Sequence, residues 1–490
     1  MSTQHAEGSS SNPLTSTTTK KSGIRTALRY TGIPPSWLDK RPKLPSRNWL
    51  IFLSVTSSIT GYYIYDRRQC KRIRQEYVEK VKHISEETTD HFSWPRKVTV
   101  YAARWPGDED WDQCMRYFRK YVKPIFVAAA IDYEMITGKR HGDLTDRIAE
   151  EICKSRRLDV GLDPAPSPDA FPPNYPFRSL AQLRQQRLEG GIVIVGRSTW
   201  KEFMAGLKKG WAEGLENVDH EEALSQELEM DGRFDEPDEV PKDPGNVEPE
   251  NSTTSSSLTP FTAGTPPIAA LQYRLPIQAQ KQASSLTSRS NSKITEALNT
   301  PTTSIPLLPP ILFVPFTNYL GFSQIPYMIW DFFNERRKVK SGAEAGYRLV
   351  MNCTRPFDPP PPEPKSLFDD IASNSSRVPK GDLDLGKEVE VFYRSSLSTM
   401  HDDIEKERKK YYDALPAKLE TARAIARGLR EPNKEELENP PKTEVELRAE
   451  RMKKEKRWRA DAKGWDIVKP DSDVAYDERL NDALRMFVDP

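Results

Sequence analysis

Gly190-Gly-Ile-Val-Ile-Val-Gly-Arg-Ser-Thr-Trp-Lys-Glu-Phe-Met-Ala-Gly206 is the stretch from which the fold class is read. Ile192–Val195 is an unbroken β-branched run between glycines, with no polar residue alternating through it. A strand without a polar face is one covered on both sides, as in a parallel sheet layered by helices. Thr199–Lys209 then reads as the helix that follows it. Working back toward the N-terminus, Arg96-Lys-Val-Thr-Val-Tyr-Ala-Ala103 is a second strand, ended by Pro106-Gly107. Trp111, Met115, Phe118 and Val122 form one helical stripe over Trp111–Val122, which Pro124 ends. Ile125–Ile136 is an apolar run that closes in a strand. Gly138-Lys-Arg-His-Gly142 is a loop, Asp143–Arg157 a helix and Leu180–Leu188 a short one. The order β-α-β-α-β-α predicts an α/β domain, doubly wound and Rossmann-like.

This domain is expected to be discontinuous. Residues 96–212 form its first part, with a Pro-rich surface excursion from Pro164 to Pro176. Residues 213–305 are acidic and then rich in Ser, Thr, Pro and Gln, the composition of a disordered insertion. Residues 306–356 continue the domain. Within them Leu307–Phe333 is very apolar, but Pro309, Pro310, Pro315 and Pro326 argue against a second membrane span. This run either enters the core or meets the membrane surface. Ala345-Gly-Tyr-Arg-Leu-Val-Met351 reads as another strand. Residues 357–384 are a Pro-rich linker. Residues 385–490 are charged helices, Val389–Leu429 and Val445–Trp458, whose charge is that of a solvated face.

The N-terminal part has a different character. Residues 1–47 are basic, poor in acid and rich in Ser and Thr, and Ile24 and Leu28 share a helical face beside Arg25 and Arg29. That is the composition of a mitochondrial targeting segment. Residues 48–66 are expected to be a single transmembrane anchor formed by Trp49, Leu50, Ile51, Phe52, Leu53, Val55, Ile59, Tyr62, Tyr63, Ile64 and Tyr65, and its stretch Trp49–Tyr65 has neither charge nor proline. Trp49 and the tyrosines suit interfacial belts, and Arg47, Arg67 and Arg68 fence the stretch. Residues 67–95 follow as a charged stalk.

Common catalytic signatures are missing. The chain has no Walker A loop, H-E-x-x-H or G-x-S-x-G, and Cys70, Cys114, Cys153 and Cys353 form no C-x-x-C pair. A net charge of +1 gives no field for nucleic acid. Among the 6 histidines only His141 falls in a plausible site loop, and an ordinary exposed loop position is its expected place. Lys139-Arg-His-Gly-Asp143 together with Ile192–Gly206 is similar in layout to the catalytic domain of diacylglycerol-type lipid kinases. There a Gly-Gly-Asp-Gly-Thr turn cradles nucleotide phosphates and precedes an Asn-Glu-x-x-x-Gly helix. Gly196, Thr199, Glu202 and Gly206 keep their places. Ser198 stands at the second glycine position and Arg197 at the acid position, so the turn Gly196-Arg-Ser-Thr199 is degenerate. The resemblance implies a lipid-kinase-like fold without phosphoryl transfer.

A second resemblance covers more of the chain. Gly32-Ile-Pro-Pro-Ser-Trp-Leu-Asp39 and Gly321-Phe-Ser-Gln-Ile-Pro-Tyr-Met-Ile-Trp-Asp-Phe-Phe333, with the leader, the apolar stretch and the domain in the same order, resemble the fungal fifty-four-kilodalton subunit of the mitochondrial inner-membrane carrier translocase. The resemblance implies a non-enzymatic scaffold without cofactors, with its N-terminus in the matrix and its bulk in the intermembrane space. The partners it implies are the channel-forming subunit, small intermembrane-space chaperones, imported carrier precursors and inner-membrane lipids, and no nucleic acid. The alternative is an inner-membrane-anchored lipid kinase of the diacylglycerol kinase type.

Overall fold

The computed structural model describes residues 45–86, 95–164, 179–216, 219–235, 299–359, 381–394, 399–430 and 440–490. The chain divides into two compact units, Met1–Tyr65 and Asp66–Pro490. The basic leader, the Pro-rich excursion and most of the insertion lie outside the described residues.

Helix α1 (Arg47–Glu86) is 40 residues long and covers the expected anchor and most of the expected stalk. In the first unit, Trp49 to Phe52, Leu53, Val55, Ile59 and Ile64 are exposed. Among the described residues no helix is long and apolar enough to cross a membrane. The expected transmembrane anchor falls short because Ser54, Thr56, Ser57, Ser58 and Thr60 dilute its apolar residues. The threonine hydroxyls turn back on the helix: Thr56 Oγ1 donates to the Phe52 carbonyl at 2.9 Å and Thr60 Oγ1 to that of Thr56 at 2.8 Å.

In the second unit, residues from Asp66 to Glu86 are not a free stalk. Val81 is fully buried, and Ile73, Tyr77, Val78 and Ile84 pack on the main core. The sheet is built from β1 (Lys97–Ala102), β2 (Asp132–Thr137), β3 (Ile192–Val195), β4 (Ile311–Val314), β5 (Thr354–Pro356) and β6 (Arg485–Phe487). Its order is β2-β1-β3-β4-β6-β5, with every neighbouring pair parallel except β5 against β6.

The pleat divides the apolar residues between two cores. Val98, Val100, Ala102, Val193 and Val195 point to one face, with Phe118 of α2 (Gln113–Tyr121), Phe126 of α3 (Lys123–Ala128) and Leu349 of α9 (Glu335–Met351). Tyr101, Ala103, Ile192 and Ile194 point to the other, with Ile148 of α4 (Asp143–Val160) and Phe203 of α6 (Arg197–Ala212). All four residues of β3 are buried, as the unalternating run predicts. The α/β expectation holds, in the form of a mixed six-stranded sheet.

Several expectations are corrected. Ala345–Met351 is not a strand but the end of α9, where Val339, Gly342, Ala343, Gly346, Leu349 and Val350 are buried at helical spacing. A short apolar run does not reveal its own period. The stretch read as insertion contains helix α7 (His220–Glu229), opened by the Asp219 side chain, which accepts from the Glu221 and Glu222 amides. Leu307–Phe333 supplies β4 to the core and then helix α8 (Ile325–Phe333), none of whose residues is buried.

The C-terminal helices are more than solvated faces. α10 (Met400–Ala426) and α11 (Glu444–Val468) share a third core of Tyr411, Leu415, Leu419, Leu447 and Trp458. Arg451 and Glu455 are buried within it. Glu455 accepts from Arg408 at 2.9 Å and from the Tyr412 hydroxyl at 2.7 Å, while Arg451 pairs with Asp231. Beyond α11 the chain returns to the sheet as β6, so residues 385–490 complete the domain instead of following it.

Candidate functional site

In an open α/β sheet, ligands bind beyond the carboxyl ends of the strands, where the strand order reverses. That point here is between β1, whose successor β2 lies on one side, and β3, whose successor β4 lies on the other. The degenerate turn opens α6 at this place. Gly196 has φ +87°, a conformation that only glycine adopts without strain.

The turn is sealed. Arg197 is 2% exposed, Ser198 and Thr199 are 0% and Lys201 is 1%. Arg197 Nε donates to Glu390 Oε1 at 2.7 Å, and its Nη1 donates to the Leu383 and Leu385 carbonyls. Lys201 Nζ meets the same Glu390 oxygen at 2.8 Å and donates to the Lys469 carbonyl at 2.9 Å. The second Glu390 oxygen accepts from the Asp471 amide at 2.8 Å. One carboxylate thus joins α6, the 3-10 turn Lys387–Phe392 and the segment after α11. Burial opposes ionisation of Glu390, but hydrogen bonds from Lys201 and Arg197 outweigh it and hold the carboxyl below its ordinary range. Burial pulls the Lys201 ammonium down. Next to this network, Trp105 after β1 meets the rings of Phe316 and Tyr393 edge-on, each at 5.3 Å.

The motif positions that keep their family residues do structural work. Thr199 Oγ1 accepts from the Ala103 amide at 2.9 Å and donates to the Val195 carbonyl at 2.6 Å, tying the end of β1 to the start of α6. Glu202 accepts from the Leu144 amide at 3.2 Å at the start of α4. Gly206 sits where a Cβ would lie 2.9 Å from Ile148 and 3.0 Å from the Thr145 carbonyl, which lets α4 and α6 pack closely. Arg197 fills the acid position with a cation whose partner is another part of the chain. A guanidinium neither coordinates a metal cation nor accepts a proton.

His141, expected to be an exposed loop residue, is 6% exposed and meets Trp465 of α11 edge-on. Its loop is so close to α11 that a Cβ on Gly142 would lie 2.9 Å from the Cα of Gly464. Burial, with Arg104 adding to it, lowers the imidazole to about 4, so it is neutral at pH 7. Glu202 is the opposite case: burial raises its carboxyl to about 8.

These two groups fix a pH dependence. A raised carboxyl contributes stability that is present below its unfolded value near 4.5 and is lost as pH rises through 8. A lowered imidazole contributes stability that is present above 6.5 and lost as pH falls through 4. They oppose each other at mildly acidic pH, and between pH 6.5 and 8 the effect of Glu202 stands alone of the two. Thermal melts of the full-length chain are expected to fall over that interval, by at most about 1.4 kcal/mol per pH unit for one proton. Glu202→Gln should flatten the fall. An equal slope in wild type and variant would refute the assignment.

The sequence singled out Gly196, Arg197, Ser198 and Thr199, and the structure keeps them together at the switch point. It missed Lys201, Glu390 and Asp471. Lys201 is one helical turn from Arg197, a detectable signal; Glu390 lies in a charged stretch where nothing marks it out.

A sequence profile of the family described as inner membrane protein import complex subunit Tim54 matches residues 25–487. The chain belongs to this family. Among Tim54 relatives, the mitochondrial import inner membrane translocase subunit of Cryptococcus neoformans is 36% identical over 474 residues, covering 96% of this chain and 95% of its own length. The subunit of Aspergillus oryzae is 32% identical over 65% of this chain and 67% of its own length. That of Saccharomyces cerevisiae is 26% identical over 71% and 87%. The Tim54 match runs through α7, α10, α11 and β6, and so takes in the C-terminal segments that seal the switch point.

Proposed function

We propose that this chain is a non-enzymatic scaffold subunit of the mitochondrial inner-membrane translocase that inserts multi-spanning carrier proteins. The observation that carries the reading is Tim54 family membership over residues 25–487. In this reading the large unit faces the intermembrane space, helps dock small chaperones carrying precursors, and stabilises the channel-forming subunit. The apolar half of α1 crosses the inner membrane once, with the N-terminus in the matrix. A stretch so rich in Ser and Thr suits a helix lying against partner helices, where small and hydroxyl residues allow close approach.

The sealed turn supports the absence of phosphoryl transfer. Such chemistry needs a nucleotide and its metal ions positioned in an open cleft. In this chain Arg197 and Lys201 share the Glu390 carboxylate, and the chain's own C-terminal segments cover them. Nothing in the geometry favours the lipid kinase alternative. Purified full-length chain with labelled ATP, Mg²⁺ and diacylglycerol or monoacylglycerol is expected to transfer no label. Turnover that Arg197→Ala abolished would overturn the scaffold reading. Affinity purification from detergent-solubilised mitochondria should bring down the channel-forming translocase subunit and small chaperones, and recovery of neither would also overturn it.

A further inference from the structure

Helix α8 is anomalous for the surface of a domain with a well-filled core. Ile325, Tyr327, Met328, Ile329, Trp330 and Phe332 are all exposed, between 41% and 55% of their surface, and Phe322 just before the helix is 92% exposed. Contiguous apolar patches of this kind mark protein or membrane contacts. The helix is nevertheless fixed at both ends. At its start, the Gln324 amide donates to the Phe392 carbonyl, and Tyr327 stacks on Tyr319 at 5.7 Å. At its end, Arg67 donates to the Phe332 carbonyl at 3.5 Å, and its guanidinium lies 5.7 Å from the centre of that ring. The helix is therefore held against the domain, and its exposed side chains form a ridge.

We infer that α8 lies in the surface of the membrane and takes phospholipid, with acyl chains against Met328, Ile329 and Trp330 and anionic headgroups against the cations around them. Three observations select lipid as the occupant. The charge pattern is complementary to an anionic surface: Lys71, Arg72, Arg337 and Lys340 are exposed on the helices that flank α8, and Arg337 lies 5.8 Å from the Trp330 ring. The only acid in α8, Asp331, is paired with Lys338 at 2.9 Å, so α8 itself presents no unpaired carboxylate to headgroups. The ridge also carries Tyr and Trp, the residues enriched at headgroup level. The inference rests on the membrane reading proposed above.

The test uses full-length chain reconstituted into phosphatidylcholine vesicles containing cardiolipin and radiolabelled phospholipid. A photoreactive benzoylphenylalanine replaces Ile329 in one chain, Leu53 in a second and the 84% exposed Met230 in a third. Labelled lipid on the Ile329 chain, severalfold above the Met230 chain, is the expected result. Lipid on the Leu53 chain alone overturns the inference and leaves the anchor standing. Lipid on neither overturns both. Lipid on the Ile329 chain alone supports the surface helix and overturns the anchor. The same chains illuminated in isolated mitochondria give a second reading: a protein adduct in place of lipid at position 329 shows that a neighbouring subunit covers α8, and overturns the inference.

Discussion

Glu390→Ala is expected to cost about 3–5 kcal/mol of folding stability, the range for removing one partner of a buried ion pair. The charge lost is the carboxylate shared by two cations, Arg197 at 2.7 Å and Lys201 at 2.8 Å, both almost without solvent contact. Neither can be rehydrated without opening the contact between α6 and the segments that cover it. A domain's whole stability is about 5–15 kcal/mol, so this is a large fraction of it. Guanidinium unfolding of the full-length chain in detergent measures the loss, and a change below about 1 kcal/mol would show that the network does not hold the C-terminal segments down. The triple variant Arg197→Met, Lys201→Met, Glu390→Leu should recover much of the loss, because replacing a buried charge cluster by apolar groups of similar volume is often neutral or better. Recovery should be partial, since the Leu385 and Lys469 carbonyls and the Asp471 amide lose their partners.

Leu53→Arg is expected to abolish carbonate-resistant membrane association. An arginine near the middle of an inserted helix costs about 2.5–3.5 kcal/mol on insertion scales. The stretch from Trp49 to Tyr65 has little surplus to offset this. Its apolar residues are interleaved with Ser54, Thr56, Ser57, Ser58 and Thr60, which is also why it falls short of a self-sufficient span. Met230→Arg, at an exposed site, should leave association unchanged. Carbonate extraction followed by blotting reads both, and a Leu53→Arg chain that stays with the membrane would remove residues 48–66 as the anchor.

Legibility followed the range of the interactions. The run Ile192–Val195 declared its burial because every one of its side chains is apolar, and it has a core on each face. The loop at Gly138–Gly142 and the helix after it were legible from glycine and periodicity. Ala345–Met351 was misread because a run of this length fits either period, and the stripe that decides it, from Val339 to Val350, begins before the run. Strand β6 was invisible: Arg485-Met-Phe487 has no pattern of its own and becomes a strand only by pairing with β4 and β5.

The degenerate turn shows the same division. The sequence by itself determined that an arginine stands where the kinase-like pattern has an acid, and that glycine opens the helix after β3. Those are local facts, set by residue chemistry and backbone sterics. What Arg197 does was decided only by the tertiary structure, because its partner Glu390 is 193 positions away and lies in a stretch as charged as its neighbours. The same holds for His141, which composition placed in an exposed loop and α11 buries against Trp465. Apolar periodicity says which face of an element must be covered, but long-range packing selects what covers it. A charged helix such as α11 shows in its sequence the face that water sees, while Arg451 and Glu455 on its hidden face acquire their partners only when the chain has closed.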